Sequence, residues 1–230
     1  MSTLFEPFKL KDVTLRNRIA VPAMCQYSAI DGVPNDWHFA HYSELARGGA
    51  GLVIVEATGI SPDGRITNAC TGLWNDEQAV EHAKIAKSIK KTGVVPGIQI
   101  AHAGMKASAN KPWEGDNHIP ADQPDAWEMI APSAVPFGTE ALNRIPRAMT
   151  KDDIFRVQND FVAAAKRALD VGYEWLELHF AHGYLAQSFF SRHTNQRTDE
   201  YNGNAENRGR YLLETVRAVR KIWPENLPFT

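Results

Sequence analysis

Residues 179–185, HFAHGYL, hold two histidines three apart and a tyrosine two positions further on. They follow the apolar run YEWLEL, where a strand should hand over to a helix. Several chemistries suit this spacing. His179 and His182 could begin a metal site. Zinc, however, takes three or four ligands, the helical H-E-x-x-H pattern is absent, and only Cys25 or His102 offers itself as a third ligand. The two imidazole N–H groups could instead converge on one carbonyl or nitro oxygen and stabilise charge that develops there. Tyr184 could then protonate a neighbouring carbon, because a phenol with a pKa near roughly 10 suits an enolate-like centre. The plain alternative is two loop histidines in solvent and a tyrosine in the core.

The elements that must position these residues repeat along the chain. The apolar run NRIAVPAM (17–24) precedes a helical pattern over 37–47 that ends at Gly48-Gly49. GLVIVEAT (51–58) precedes a helix that starts near Asn75 and stops at Gly93, a favourable C-terminal breaker. VVPGIQIAH (94–102) follows. A third helix starts at Thr150, which Asp153 completes as a capping box, and stops at Gly172. YEWLELHF (173–180) is the fourth run. NRGRYLLETVRAVRKIW is the last helix, closed by Pro224, and LPFT begins a fifth strand.

Alternating strands and helices imply parallel strands joined by right-handed crossovers. An open dinucleotide-binding sheet would show G-x-G-x-x-G after its first strand; PAMCQY stands there instead. Polar groups gather after every strand, as at the mouth of a barrel enzyme. A closed barrel takes roughly 250 residues and eight strands, twice the strands found here. The expected fold class is therefore α/β, a (β/α)8 TIM barrel of which this chain supplies about the first four βα units and the start of the fifth strand. Residues 1–230 then form the N-terminal part of a single domain, truncated, with a lid-like excursion at about 103–149, too long for an ordinary loop. A self-contained four- or five-strand α/β domain is the alternative.

Side chains of a strand alternate between faces. Leu176, Leu178 and Phe180 share one face, fit for packing on helices, while Trp175, Glu177 and His179 share the other. Gly97, Gln99 and Ala101 lie together, opposite Ile98, Ile100 and His102. Val53, Val55 and Ala57 share a face that also ends small. An interior of small walls, one amide and histidines at strand ends suits a planar, hydrogen-bonding ligand. An internal Glu177–His179 ion pair with Gln99 capping backbone is the structural alternative.

Composition narrows the class. Lys and Arg number 25 against 27 Asp and Glu, which leaves no basic footprint for nucleic acid. No apolar run approaches the roughly 20 residues of a membrane span. The start, MSTLFEPFKL, lacks the pattern of a signal peptide, and Cys25 and Cys70 are too few for a disulfide framework. A cytoplasmic enzyme-sized domain is expected.

VPAMCQYSAIDGVPNDWH, GIQIAHAG, GYEWLELHFAHGYLAQSFFS and NQRTDEYNGNAENRGRYLLE occur in this order. Together they resemble the Old Yellow Enzyme family of flavin-dependent ene-reductases, nearest its thermophilic-like branch with the bacterial xenobiotic reductases, over essentially the whole chain. The resemblance implies a barrel that holds FMN at its C-terminal mouth. It implies NADPH or NADH as co-substrate and reduction of the activated C=C bond of enones or nitro compounds by ping-pong hydride transfer. It further implies a homo-oligomer in the complete enzyme. His179 and His182 match the pair that grips the substrate oxygen, Tyr184 the proton donor, and Tyr27 a second substrate contact. Pro22, Ala23, Met24 and Cys25 match the first-strand segment along the flavin; Ala57 and Gln99 match contacts on the next two strands. No metal is implied. Met105 stands where the family usually has arginine, Ala23 differs at a variable small position, and Asn202 stands where a glycine with positive φ is usual. The family's fifth-strand arginine and phosphate loops would lie beyond Thr230, so this chain alone is expected to hold FMN weakly. A zinc-dependent barrel hydrolase and an inactive fragment that persists by pairing are the competing expectations.

Overall fold

The computed structural model describes residues 3–230. Strands β1 (Phe8–Leu10) and β2 (Val13–Leu15) form an antiparallel hairpin turned at Lys11, whose φ is 55°. Then come β3 (Ala20–Val21), α1 (Asp36–Arg47), β4 (Leu52–Gly59), α2 (Asp76–Lys91) and β5 (Val95–Ala101). The excursion carries β6 (Ile130–Ala131) and β7 (Arg147–Ala148), which pair with each other. The chain returns through α3 (Lys151–Asp170), β8 (Trp175–Leu178), the short α4 (Leu185–Phe190) and α5 (Ala205–Arg220).

β3, β4, β5 and β8 form one parallel sheet in that order. LPFT continues it: Phe229 bridges in parallel to Leu176, and the Thr230 amide donates to the Leu176 carbonyl at 2.9 Å. The helices begin where short-range chemistry demands. Asn35, Asn75 and Thr150 each accept from backbone amides of the first turn, with His38, Gln78 and Asp153 reaching back, so orphan donors are satisfied reciprocally. α2 and α3 give way to Gly93 (φ 78°) and Gly172 (φ 101°), in the left-handed region that glycine adopts without cost.

The sheet divides two cores. On the helix side, Val53, Val55, Ile98, Ile100 and Leu176 pack with Tyr42, Ile89, Phe161 and Ala164. On the inner side, Leu52, Ile54, Val95 and Trp175 pack with Val13 and Leu15 of the hairpin, which floors the arc. The alternation expected for β5 and β8 is observed. That of β4 is not: Val53 and Val55 face the helices. A bulge between Val55 and Thr58 sets one extra residue against β5, and such an insertion resets which face later side chains take. The turn at Asn202 also differs from expectation. The positive φ, 101°, belongs to Gly203, while the Asn202 side chain donates to the Arg197 carbonyl at 2.7 Å.

Arg144 gathers the excursion, donating to Ser108 Oγ (2.9 Å), the Ile119 carbonyl (2.7 Å) and the Trp127 carbonyl (3.1 Å). Ala103, Ala107 and Met129 then pack with Trp127 and Tyr184, so the excursion rests on the C-terminal ends of the strands. Among the described residues no helix is long and apolar enough to cross a membrane.

Ile98 is wholly buried between β4 and the helix layer. Ile98→Ala is expected to cost about 2–5 kcal/mol, read from the urea denaturation midpoint. A loss well under ~1 kcal/mol would mean that the sheet centre repacks around the deletion.

Candidate active site

β8 hands its ladder on by one residue: the His179 amide donates to the Ile100 carbonyl at 3.0 Å. The chain then turns through His182 (φ 56°) and Gly183 (φ 75°). A positive φ is uncommon for histidine. A Cβ on Gly183 would stand 2.6 Å from Phe137 Cε2. Tyr184 is the N-cap of α4, and the Leu185 amide donates to the His102 carbonyl at 3.1 Å. The three residues with the suggestive spacing therefore meet. The His179 ring lies 5.0 Å from that of His182 and 4.7 Å from that of Tyr184, both edge to face.

Hydrogen bonds assign the tautomers. His179 Nδ1 accepts from the Ala181 amide at 3.3 Å, so its proton sits on Nε2. That Nε2 faces His182 Nδ1 at 3.3 Å, which makes His182 Nδ1 the acceptor and leaves the His182 proton on Nε2. Burial first, then His182, lowers His179 to about 4, so it is neutral at pH 7. In this arrangement His182 offers an unspent N–H. The N–H of His179 becomes available to a ligand oxygen only when that oxygen takes the place of His182 Nδ1. Burial also pushes the Tyr184 phenol well up, keeping it protonated and able to donate.

The segment after β3 forms the second wall. Met24 is 45% exposed, Pro22 is exposed, and Ala23 packs on the floor cluster. Burial, then Cys70 and Glu56, drives the Cys25 thiol far up from its ordinary value, and Tyr27 hydrogen bonds to it. Both cysteines are free. Tyr27, at φ 49°, is raised by burial and then by Cys25. Tyr27, Lys106, Asp116 and Tyr184 line one cavity of about 210 Å³.

Glu56 holds this wall from behind. It is fully buried, accepting from the Gln26 amide at 2.9 Å and from the Tyr42 hydroxyl at 2.9 Å. His38 Nε2 stands 3.6 Å away. Burial raises Glu56 to about 7, against hydrogen bonds that pull it down. Its only signal in the sequence is a carboxylate inside the apolar run GLVIVEAT.

Below the mouth the inner face between the walls is closely packed. A Cβ on Gly97 would crowd Ile54, Leu52 and Trp175 at 3.2–3.3 Å. Above it Gln99 Nε2 donates to Glu177, and Gln99 Oε1 has no partner among the described residues. Ala57 is buried beside Cys25, its backbone hydrogen bonded to the thiol. His102 is turned away: its Nδ1 accepts from the Gly104 amide and its Nε2 faces Asp63 at 3.8 Å. Among the described residues no three His, Cys, Asp or Glu side chains are grouped as metal ligands. Met105 is buried, its carbonyl facing His118 Nε2 at 3.1 Å.

A model of the NADH:flavin oxidoreductase / NADH oxidase family matches residues 3–226. The chain belongs to this family. It is 43% identical over 228 residues to an NADH:flavin oxidoreductase of Gibberella zeae, covering 98% of this chain and 55% of that one. It is 44% identical over 225 residues to the NADPH dehydrogenase of Listeria monocytogenes serotype 4a, covering 97% of this chain and 61% of that one. The chain thus spans somewhat over half the length of these relatives. The Old Yellow Enzyme of Pichia sp. AKU4542 superposes with a TM-score of 0.86 at 29% identity, covering 98% of this chain and 58% of that one. Morphinone reductase in complex with tetrahydroNAD gives 0.83 at 30%, covering 99% and 63%. The sheet is accordingly an arc of an Old Yellow Enzyme (β/α)8 barrel.

The residues present fit the ring of the family's cofactor, FMN. Exposed Met24 offers an apolar contact, and the Gln99 amide oxygen an acceptor, to a planar heterocycle with N–H groups.

Two titrations test this electrostatic picture. An isotope-edited NMR titration should find His179 with a midpoint near 4; a midpoint near roughly 6.5 would mean an unburied ring. An unfolded histidine takes its proton near roughly 6.5. Stability contributed by neutral His179 and His38, each about 4, and by His82, about 3, is thus lost as pH falls from there through those values. Glu56 has the opposite sign. Its contribution is whole below its ordinary value of 4.5 and is lost as pH rises through about 7. Denaturation midpoints of Glu56→Gln should lack that loss; a slope like that of the parent chain would place the carboxyl proton elsewhere.

Proposed function

We propose that this chain is the substrate-gripping part of an FMN-dependent NAD(P)H oxidoreductase, an ene-reductase acting on the activated C=C bond of α,β-unsaturated carbonyl or nitro compounds. A placement in the thermophilic-like, xenobiotic-reductase branch rests on Cys25 and Tyr27. The observation that carries the reading is the meeting of His179, His182 and Tyr184 across one mouth from Cys25 and Tyr27. When bound, FMN would supply ping-pong hydride transfer between NADPH or NADH and the activated alkene.

The chain's own residues do the rest. His179 and His182 donate N–H to the carbonyl or nitro oxygen, where negative charge grows as hydride arrives. His179, held neutral by burial, still carries the Nε2 proton it donates. Tyr184, kept protonated by burial, gives its proton to the α-carbon. Tyr27 lines the same cavity and contacts the substrate. Pro22, Ala23, Met24 and Cys25 form the wall against the ring, and Ala57 and Gln99 its inner support. The excursion at 103–149, resting on Tyr184 through Ala103, Ala107 and Met129, serves as the lid that excludes water.

Adding FMN to the purified chain, desalting and recording the visible spectrum tests the reading. A retained, shifted flavin band that bleaches with NADPH and returns with cyclohexenone is expected of a working site. A chain that stays colourless confines the reading to a longer parent chain. In the flavin-loaded protein, Tyr184→Phe should slow alkene reduction by about 10²–10⁴-fold while leaving flavin reduction by NADPH intact. Equal loss in both half-reactions would remove Tyr184 as proton donor.

A further inference from the structure

Lys106 ends the short helical turn Gly104–Lys106 that follows β5. Its ammonium donates to the His182 carbonyl at 3.2 Å. It lies 4.8 Å above the Tyr184 ring and 4.7 Å above the Phe137 ring. Phe137 is the side chain packed against Gly183, the second left-handed residue of the turn. The backbone that carries Lys106 is pressed on the same turn: a Cβ on Gly104 (φ 60°) would stand 2.9 Å from Leu185 Cα.

We propose that Lys106 is a positioning residue of the substrate clamp, whose ammonium ties down the His182 carbonyl and sets a fixed positive charge against the Tyr184 ring. Two physical effects follow. A left-handed histidine is strained, and a charged donor on its carbonyl helps to hold it where His182 meets His179. A cation on an aromatic face is attracted by the ring quadrupole and more strongly by a phenolate. Lys106 therefore opposes a second positive charge on the imidazoles and steadies the phenolate left when Tyr184 gives up its proton.

The charges around the site agree. Lys106 acts on His179 in the lowering direction, after burial and His182. Burial first, and Asp116 among the neighbouring carboxylates, disfavours the Tyr184 phenolate, while the Lys106 ammonium stands 4.8 Å from that ring. Burial lowers Lys106 itself, and Asp116 opposes that. Lysine is suited to this place: its compact ammonium reaches a carbonyl and two ring faces together.

The part Lys106 plays in catalysis rests on the roles proposed above for His179, His182 and Tyr184. Its hold on the turn does not, and can be read without flavin. The measurement is an NMR titration of the histidine rings in the 230-residue chain, with His179 and His182 assigned through His179→Asn and His182→Asn. Lys106→Met keeps the packing on the two rings and removes the charge. It should move the His179 midpoint upward from about 4 by roughly half a pH unit or more, while Lys106→Arg keeps it low. If Lys106→Met does not fold, Lys106→Gln, neutral but still able to donate to the carbonyl, should give the same upward movement. An unmoved midpoint in the folded neutral variant would overturn the proposal, as would equal movement in Lys106→Arg. If the midpoint moves while the chain takes up no FMN, Lys106 holds the turn and the flavin reading alone fails.

Discussion

The site depends on the register of β5 against β8. Gln99 stands opposite Glu177 in that ladder, and the His179 amide continues it to the Ile100 carbonyl. Because strand residues alternate faces, a slip by one would send Gln99, Glu177 and His179 into the helix layer and Ile98, Ile100 and Leu176 into the mouth. The aliphatic side chains on one face and the Trp175 floor on the other make that slip costly in both directions. The ladder thus delivers two consequences at once: a buried apolar layer under the helices and a polar rim at the strand ends.

Two backbone devices convert this rim into a site. The left-handed pair His182 and Gly183 folds the chain back so that His182 and Tyr184 both meet the ring of His179. The bulge in β4 sets Glu56 where it can hold the Gln26 amide and the Tyr42 hydroxyl. Each costs something, strain in the first case and a desolvated carboxyl in the second. Each is held by surrounding contacts: Lys106 and Phe137 around the turn, and two hydrogen-bond donors on the carboxyl. Local irregularity held by neighbours is common where chemistry is done.

Burial also sets the charge states. His179 is neutral because its ring is desolvated beside another imidazole, and Tyr184 stays protonated for the same physical reason. One apolar surrounding therefore prepares both a neutral hydrogen-bond donor and a proton donor. Cys25, pushed far up by burial, is held as a thiol beside Tyr27, part of the wall and ill suited to act as a nucleophile.

Local chemistry made much of this protein legible from its residues. Asn75 and Thr150 announce their helices because a cap and its partner lie three positions apart. The alternation in VPGIQIA and WLEL reveals which side chains share a face because the strand period is 2. The meeting of His179, His182 and Tyr184 follows from nearness along the chain. Tertiary structure alone decided the rest. The hairpin floor joins Val13 and Leu15 to Trp175, far apart in sequence, by burial of apolar surface that no local pattern announces. The bulge that resets the faces of β4 beyond Val55 depends on how β4 and β5 pair, and the grip of Lys106 on the His182 carbonyl spans 76 positions. Such contacts are chosen by packing and by the need to satisfy buried polar groups in three dimensions, and those demands arise only after the strands have come together.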